Sequence, residues 1–278
     1  MQRIVLDGET DWEGWRTATR SLVLAGIAPD DVQWSVRSHE GERHTLPEGN
    51  GSFAVSRSLV ALASLAIQAR DPERFALLYR LIWRANAGER VLENPTDADT
   101  HQAQHLAFAV RAEAHRMRTL VRYLPLQEGN QTRYLGWYEP AHYVLEANAQ
   151  LIARRFAELT FSIVTPDGSA HWDTAELRFA PGIDCDAIQD DDGLRSWWHS
   201  RHSDVLHAAK VGTAIPEAEA LDEVPRSPDL PPSVLSCCRC TPIQACWKQA
   251  TKPTTAIVAR CSSRPRRPCS VKAQHTPK

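Results

Sequence analysis

No run of about 18 apolar residues occurs in the 278-residue chain, which excludes a membrane-spanning helix from its organisation. The opening stretch, MQRIVLDGET, has no basic segment followed by an apolar one. No secretory signal is therefore expected, and the cytoplasm is the expected compartment. Cysteine is scarce in the body of the chain, where only Cys185 precedes Cys237. A cysteine-poor body without a signal argues against a secreted disulfide scaffold. No nucleophile elbow, phosphate-binding loop or dinucleotide fingerprint is present, which counts against hydrolase, kinase and Rossmann-type readings. There is no internal repeat.

What is there is uneven. Of 32 Lys and Arg, 23 lie up to Ser236 together with all 34 Asp and Glu, so from Cys237 onward nine basic residues face no acid. Cys237, Cys238, Cys240, Cys246, Cys261 and Cys269 crowd the same segment. The tail thus differs chemically from the body. A hydrophobic content of 42% is enough for a core, and the length fits one domain of roughly 150–200 residues with additional sequence, or two small domains.

Hydrophobic periodicity predicts the elements. RIVLD (3–7) and DVQWSVRS (31–38) read as strands, with a helix between them capped by Asp11 and running to about Gly26. Residues 55–69 read as a buried helix. In DPERFALLYRLIWR, Asp71 is the expected cap and Pro72 the first helical residue. A long helix is expected from His101 to Val121, ended by the approach of Pro125. TRYLGWYE (132–139) reads as a strand, and Pro140 is expected to open a helix to about Phe156. A hairpin follows with Pro166, Asp167 and Gly168 at its turn. Residues 204–211 suggest one more helix, and PRSPDLPPS (225–233) a linker. Strands and helices mix without strict alternation, so the expected class is α+β: helices packed on a small, mostly antiparallel sheet, followed by a poorly ordered basic, cysteine-rich tail. The expected organisation is a first domain over 1–195, a linker with a short helix over 196–235, and a separate segment over 236–278.

The long helix carries the clearest chemical pattern. At about 100° per residue, Leu106, Ala109, Val110, Met117, Leu120 and Val121 fall on one side. Arg111, His115, Arg118 and Arg122 fall on the other, within about 60° of one another. Such a stripe can follow phosphates, because guanidinium forks match phosphate oxygens. It can equally be the solvated face of an amphipathic helix. Glu113 lies on the apolar side, where a carboxylate needs a partner or a raised pKa. That makes it a candidate general acid or base, or half of a structural ion pair with a nearby arginine. His101 and His105 stand four apart, but no Glu follows His101, so the metalloprotease pattern is absent.

WYEPAH supplies Glu139 and His142 at a strand-to-helix turn, and SAHWD supplies His171, Trp172 and Asp173 on the hairpin. With His115 these could form a pocket suited to proton transfer or to a metal, or could serve as caps and surface hydrogen bonds. Trp137 and Trp172 are candidates for base stacking, or for core packing. In the tail, the spacing Cys237-x-x-Cys240 offers two thiolates, half of the four that zinc or an iron–sulfur cluster takes. Three readings of this segment remain open: the start of a further domain that runs out of frame, a basic arm for nucleic acid, or a zinc clip of Cys237, Cys240, Cys261 and Cys269.

Taken in order, DWEGWRTATRSLVLAGIAPDDVQW, DPERFALLYRLIWR, VRAEAHRMRTLVRY, YLGWYEPAH, ARRFAELTFSIVTPDGSAHWD and LRFAPG resemble one bacterial family across residues 3–183. It is the DNA-metabolism domain of unknown function found alone or fused upstream of UdgX-type iron–sulfur uracil-DNA glycosylases, and linked with a radical-SAM partner protein. The resemblance implies a DNA-repair setting, with DNA, a uracil-DNA glycosylase or a radical-SAM protein as partners and no membrane. The residues that match its motifs are Glu113, His115, Arg116, Met117, Glu139, Pro140, His142, His171, Trp172 and Asp173. The family's Asn-Pro-Ala-Arg-like segment is absent after LRSWWHSRHSDVLHAAKV. Cys237 and Cys240, followed by TPIQACWKQATKP, resemble the start of the glycosylase. The Gly-Glu-x-Pro-Gly type motif is missing, and the sequence from Cys240 to Lys278 cannot build a base-flipping pocket. The resemblance therefore implies an incomplete, unoccupied iron–sulfur motif and an accessory role without glycosylase activity. An enzyme acting on DNA through the His/Glu pocket and a pure protein-interaction module are the alternatives.

Overall fold

The computed structural model describes residues 1–37, 45–49, 51, 53–183 and 190–211. The chain divides into two units, residues 1–230 and 231–278, and the second lies outside the described residues together with Cys237 and Cys240. In the first unit, β1 (Gln2–Leu6) and β2 (Val32–Val36) pair in parallel across α1 (Trp12–Leu24). Then come α2 (Arg57–Ala66), α3 (Arg74–Asn86) and α4 (Ala98–Leu120). A second sheet of six strands has the order β3 (Arg122–Glu128), β4 (Gln131–Trp137), β5 (Thr160–Val164), β6 (Gly168–Trp172), β7 (Leu177–Pro181) and β8 (Lys210–Val211). Only β4 and β5 run parallel, because α5 (Leu145–Arg155) forms the crossover between them. The last helix, α6 (Asp191–Ala208), lies between β7 and β8. The α+β class and the mostly antiparallel sheet agree with the sequence pattern.

Strand alternation gives the six-stranded sheet two unlike faces. Phe161, Ile163 and Ala170 point into the main core, which they share with Trp15, Leu22, Leu59, Leu78, Val110 and Ile152 from α1–α5. Leu126, Leu135 and Val164 point the other way, into a smaller cluster closed by Leu194 and Trp198 of α6.

Local chemistry explains where the elements begin. Asp11 caps α1 through the N–H of Gly14 at 2.9 Å, and Ser56 caps α2 through that of Leu59 at 3.2 Å. Asp71 takes the N–H of Glu73 at 2.8 Å, but it caps a tight turn and α3 starts only at Arg74. The long helix starts before His101, at Ala98. Asp97 accepts the N–H of Thr100 at 2.8 Å and the Arg84 guanidinium at 2.7 Å. The Arg84 bond, then that of Thr100, holds the Asp97 carboxyl at about 2. Asp97→Ala removes both bonds and lowers stability by about 2 kcal/mol, whereas Asp97→Asn keeps the cap and costs about half of that. Urea unfolding of the two variants reads the difference.

Three elements depart from the sequence pattern. Pro125 does not end regular structure: it sits in β3, an edge strand, where a missing N–H leaves no ladder bond unmade. The β3–β4 hairpin then closes through Gly129, whose φ of +62° suits a two-residue turn. Pro140 does not open a helix: the Tyr143 and Val144 N–H groups, which would make its first intrahelical bonds, go instead to the Gln68 and His142 carbonyls, each at 2.9 Å. The Ala141 N–H goes to Glu113 at 2.9 Å. Of the helix expected over 204–211, residues 204–208 are the end of α6, which begins at Asp191 and runs through residue 195, while Lys210 and Val211 form β8.

Candidate functional site

The outer face of α4 is the first candidate. His115 is exposed and Arg122 stands exposed at the start of β3. Arg118 donates to the Asn148 Oδ1 of α5 at 2.6 Å, and Asn148 is itself anchored on the Ala114 carbonyl. Arg111 is half-buried, and its Nε is enclosed without a hydrogen-bond partner among the described residues. Other arginines of the fold face carboxylates: Arg74 meets Glu9, Arg84 meets Asp97, Asp99 and Glu89, and Arg133 meets Glu128. No such ion pair to Arg111 is present among the described residues, so its charge is left uncompensated by a contact.

A second cluster gathers where α4 meets the segment between β4 and α5. Glu113 is 3% exposed. Its Oε1 accepts from the Tyr138 hydroxyl at 3.2 Å and from the Ala141 N–H at 2.9 Å, while Oε2 faces Arg116 at 3.0 Å. The next residue, His142, accepts the Arg70 N–H on Nδ1 at 3.1 Å, which places the ring proton on Nε2. Arg70 pairs with Asp167 at the hairpin turn and lies 4.5 Å over the Tyr143 ring. Nearby, burial pushes the Glu146 carboxyl up, against a 3.2 Å bond from Thr10. Glu113 and His142 are thus brought together through one loop, with Glu139 exposed beside them. Sequence reasoning missed Arg70, Asp167 and Tyr143. Only the Pro-Asp-Gly turn singled out Asp167, and nothing local pointed it toward Arg70.

His171 stands apart from these residues, on the sheet face under α6. It is 3% exposed, with Nδ1 at 2.9 Å from Ser162 Oγ and Nε2 at 3.0 Å from Ser169 Oγ. Burial, and after it the Arg133 charge, pulls its imidazole down to about 4. Arg133 reaches Ser162 Oγ at 3.2 Å and pairs with Glu128, whose other oxygen accepts Trp198 Nε1 at 2.8 Å. Burial opposes ionisation of Glu128, but the bonds from Arg133 and Trp198 hold its carboxyl below the usual range. Trp137 is half-buried against the same small cluster. Trp172, one residue on from His171, points to the opposite face, packs on the main core and donates to the Ala157 carbonyl at 3.1 Å. Asp173 is exposed and closes a turn, accepting from Ala175 and Glu176 at 3.0 and 2.8 Å.

His115, Glu139, His142 and His171 therefore do not converge on one pocket: the first sits on the solvent side of α4 and the last beneath α6. His101 contacts the Pro95 carbonyl at 2.5 Å. Among the described residues no group of three or more His, Cys, Asp or Glu is placed to hold a metal ion. No described helix is long and apolar enough to cross a membrane.

One family model matches the chain: a domain of unknown function, DUF4130, over residues 72–252. The match includes α3–α6, and with them Glu113, His142 and His171, and it continues past the point where the resemblance read from the sequence stops. No curated protein and no solved structure matches.

Proposed function

The chain belongs to the DUF4130 family, a domain of unknown function, and we propose, from the resemblance and the α4 face and not from that match, that it is an accessory domain of DNA metabolism that holds nucleic acid on the Arg111, His115 and Arg118 face of α4, with Arg122 at its end. The partner enzymes implied by the resemblance are a uracil-DNA glycosylase and a radical-SAM protein. One observation supports this reading above the others. Arg111 is kept half-buried without a carboxylate, and its Nε lacks a partner among the described residues. The enclosed Nε is out of a ligand's reach, but the charge of the group meets no carboxylate among the described residues, and phosphate oxygens match the outer fork of such a guanidinium. Arg118, fixed by Asn148, is presented rather than left to wander, which lowers the entropy lost on binding. The acidic balance of the body keeps the contact local and salt-sensitive.

The test is fluorescence anisotropy with labelled single- and double-stranded DNA at two salt concentrations. Arg111→Glu combined with Arg118→Glu weakens binding at least about tenfold and lowers the salt slope by about 2. Unchanged binding removes the α4 face as the site.

A further inference from the structure

The sheet face beneath α6 is mixed: beside the buried Leu126, Leu135 and Val164 it carries an unusual number of buried polar groups. Arg133 on β4, Ser162 on β5 and Ser169 and His171 on β6 point to the same side, and all four are buried. Positions on the opposite face of the same strands are Phe161, Ile163 and Ala170, as a core requires. What covers this mixed face is one helix. The 18 residues of α6 bury only Leu194 and Trp198. Among the described residues, the side-chain hydrogen bond that fastens it to the sheet runs from Trp198 Nε1 to Glu128 at 2.8 Å. Arg133 lies 5.6 Å from the Trp198 ring, and the His202 ring stacks on Trp198 at 6.0 Å. An element with so little buried apolar surface opens more readily than the strands beneath it.

We propose that α6 is a reversible cover, and that the strand face it hides takes the backbone of single-stranded nucleic acid when the helix lifts. Arg133 supplies a guanidinium fork for a phosphate, Ser162 and Ser169 supply hydroxyl donors, and Trp137 on the same side of β4 supplies a plane for a base. A pleated face with an aromatic and a guanidinium suits unstacked strands, whose bases are free to lie on side chains. Glu128 competes with the ligand for Arg133 and keeps the affinity modest. The inference rests on the nucleic-acid reading above but uses a different surface.

The experiment uses the full chain, hydrogen exchange read by mass spectrometry, and a fluorescein-labelled oligothymidylate of about twenty nucleotides. In the unsubstituted protein the amides of α6 exchange at least about tenfold faster than those of β4 and β5. Trp198→Ala speeds α6 further, leaves β4 and β5 protected, and raises affinity for the oligonucleotide about tenfold by removing the closed state. Adding Trp137→Ala or Arg133→Gln to Trp198→Ala returns the affinity to its starting value. If Trp198→Ala loosens β4 and β5 as well, Leu194→Ala takes its place; if both loosen them, α6 belongs to the core and the proposal falls. It falls too if α6 exchanges in step with the strands, or if release of α6 leaves affinity unchanged. In a background of Arg111→Glu and Arg118→Glu, a retained gain from Trp198→Ala separates this surface from α4, whereas no binding by any variant sinks the nucleic-acid reading itself.

Discussion

Glu113→Ala destabilises the protein by about 3–5 kcal/mol, the largest loss expected from a single exchange outside the apolar core. The reason is the number of groups that one buried carboxylate serves. Ala141 loses the acceptor for its N–H, the Tyr138 hydroxyl loses an acceptor, and Arg116 loses its ion-pair partner. An interior donor deprived of its partner costs about 1–3 kcal/mol, and a charged partner adds to that. Glu113→Gln keeps an oxygen for Ala141 and Tyr138 and gives up only the charge facing Arg116, so it costs about 1–2 kcal/mol. Urea unfolding at neutral pH, with wild type, Gln and Ala in descending order of midpoint, is the expected result. Equal midpoints for Gln and Ala would show that charge alone matters. The Ala variant also frees the start of the segment that leads to His142, and exchange of the Arg70 and Tyr143 amides rises with it.

Glu113 illustrates how far a sequence pattern reaches. The helical wheel of α4 sets it among Val110, Ala114 and Met117, and the fold buries all four. That is local information, fixed by a period of 3.6. Its partners lie 25 and 28 residues away, on a loop whose course depends on the β4–β5 crossover. The same divide runs through the elements. Asp11, the short apolar run IVL, and the Pro-Asp-Gly turn are short-range signals, and the structure carries each of them. Strand β3 was hidden because Pro125 reads as a break until β3 is known to be an edge. The first half of α6 was hidden because only Leu194 and Trp198 of its 18 residues are buried, too few to set a helical period.

The candidate residues divide in the same way. A strand's alternation alone separates His171 from Trp172, and pairs His171 with Ser169 on one face. Neither Arg133 nor Ser162 can be added to that face without the order β4-β5-β6, which brings together residues up to 38 positions apart through pairing rather than through pattern. Arg70 and Asp167 are 97 residues apart. Nothing in the segments around either one marks the other as its partner.

The second large effect is a loss of stability on mild acidification. In the unfolded chain the His171 imidazole takes a proton near its ordinary value of about 6.5. In the fold it stays unprotonated until about 4, because burial excludes the charged form and Arg133 repels it. Between those two values the unfolded state binds more protons, so stability falls as the pH falls. The separation corresponds to about 3 kcal/mol, spread across that window and essentially complete at its lower edge. Two depressed carboxylates act with the same sign but lower: Asp97, at about 2, and Glu128 lose their contributions only below the ordinary carboxylate range. Glu146 acts in the opposite sense, since its raised carboxyl takes a proton earlier in the fold than in the unfolded chain. All three are common to the wild type and to His171→Gln, so the comparison isolates the imidazole. Between pH about 7.5 and about 4.5 the unfolding free energy from urea titration should drop for the wild type by about 2–3 kcal/mol more than for His171→Gln. Parallel behaviour of the two proteins would mean that His171 accepts its proton in place, with Ser162, Ser169 and Arg133 rearranging around an imidazolium beneath α6.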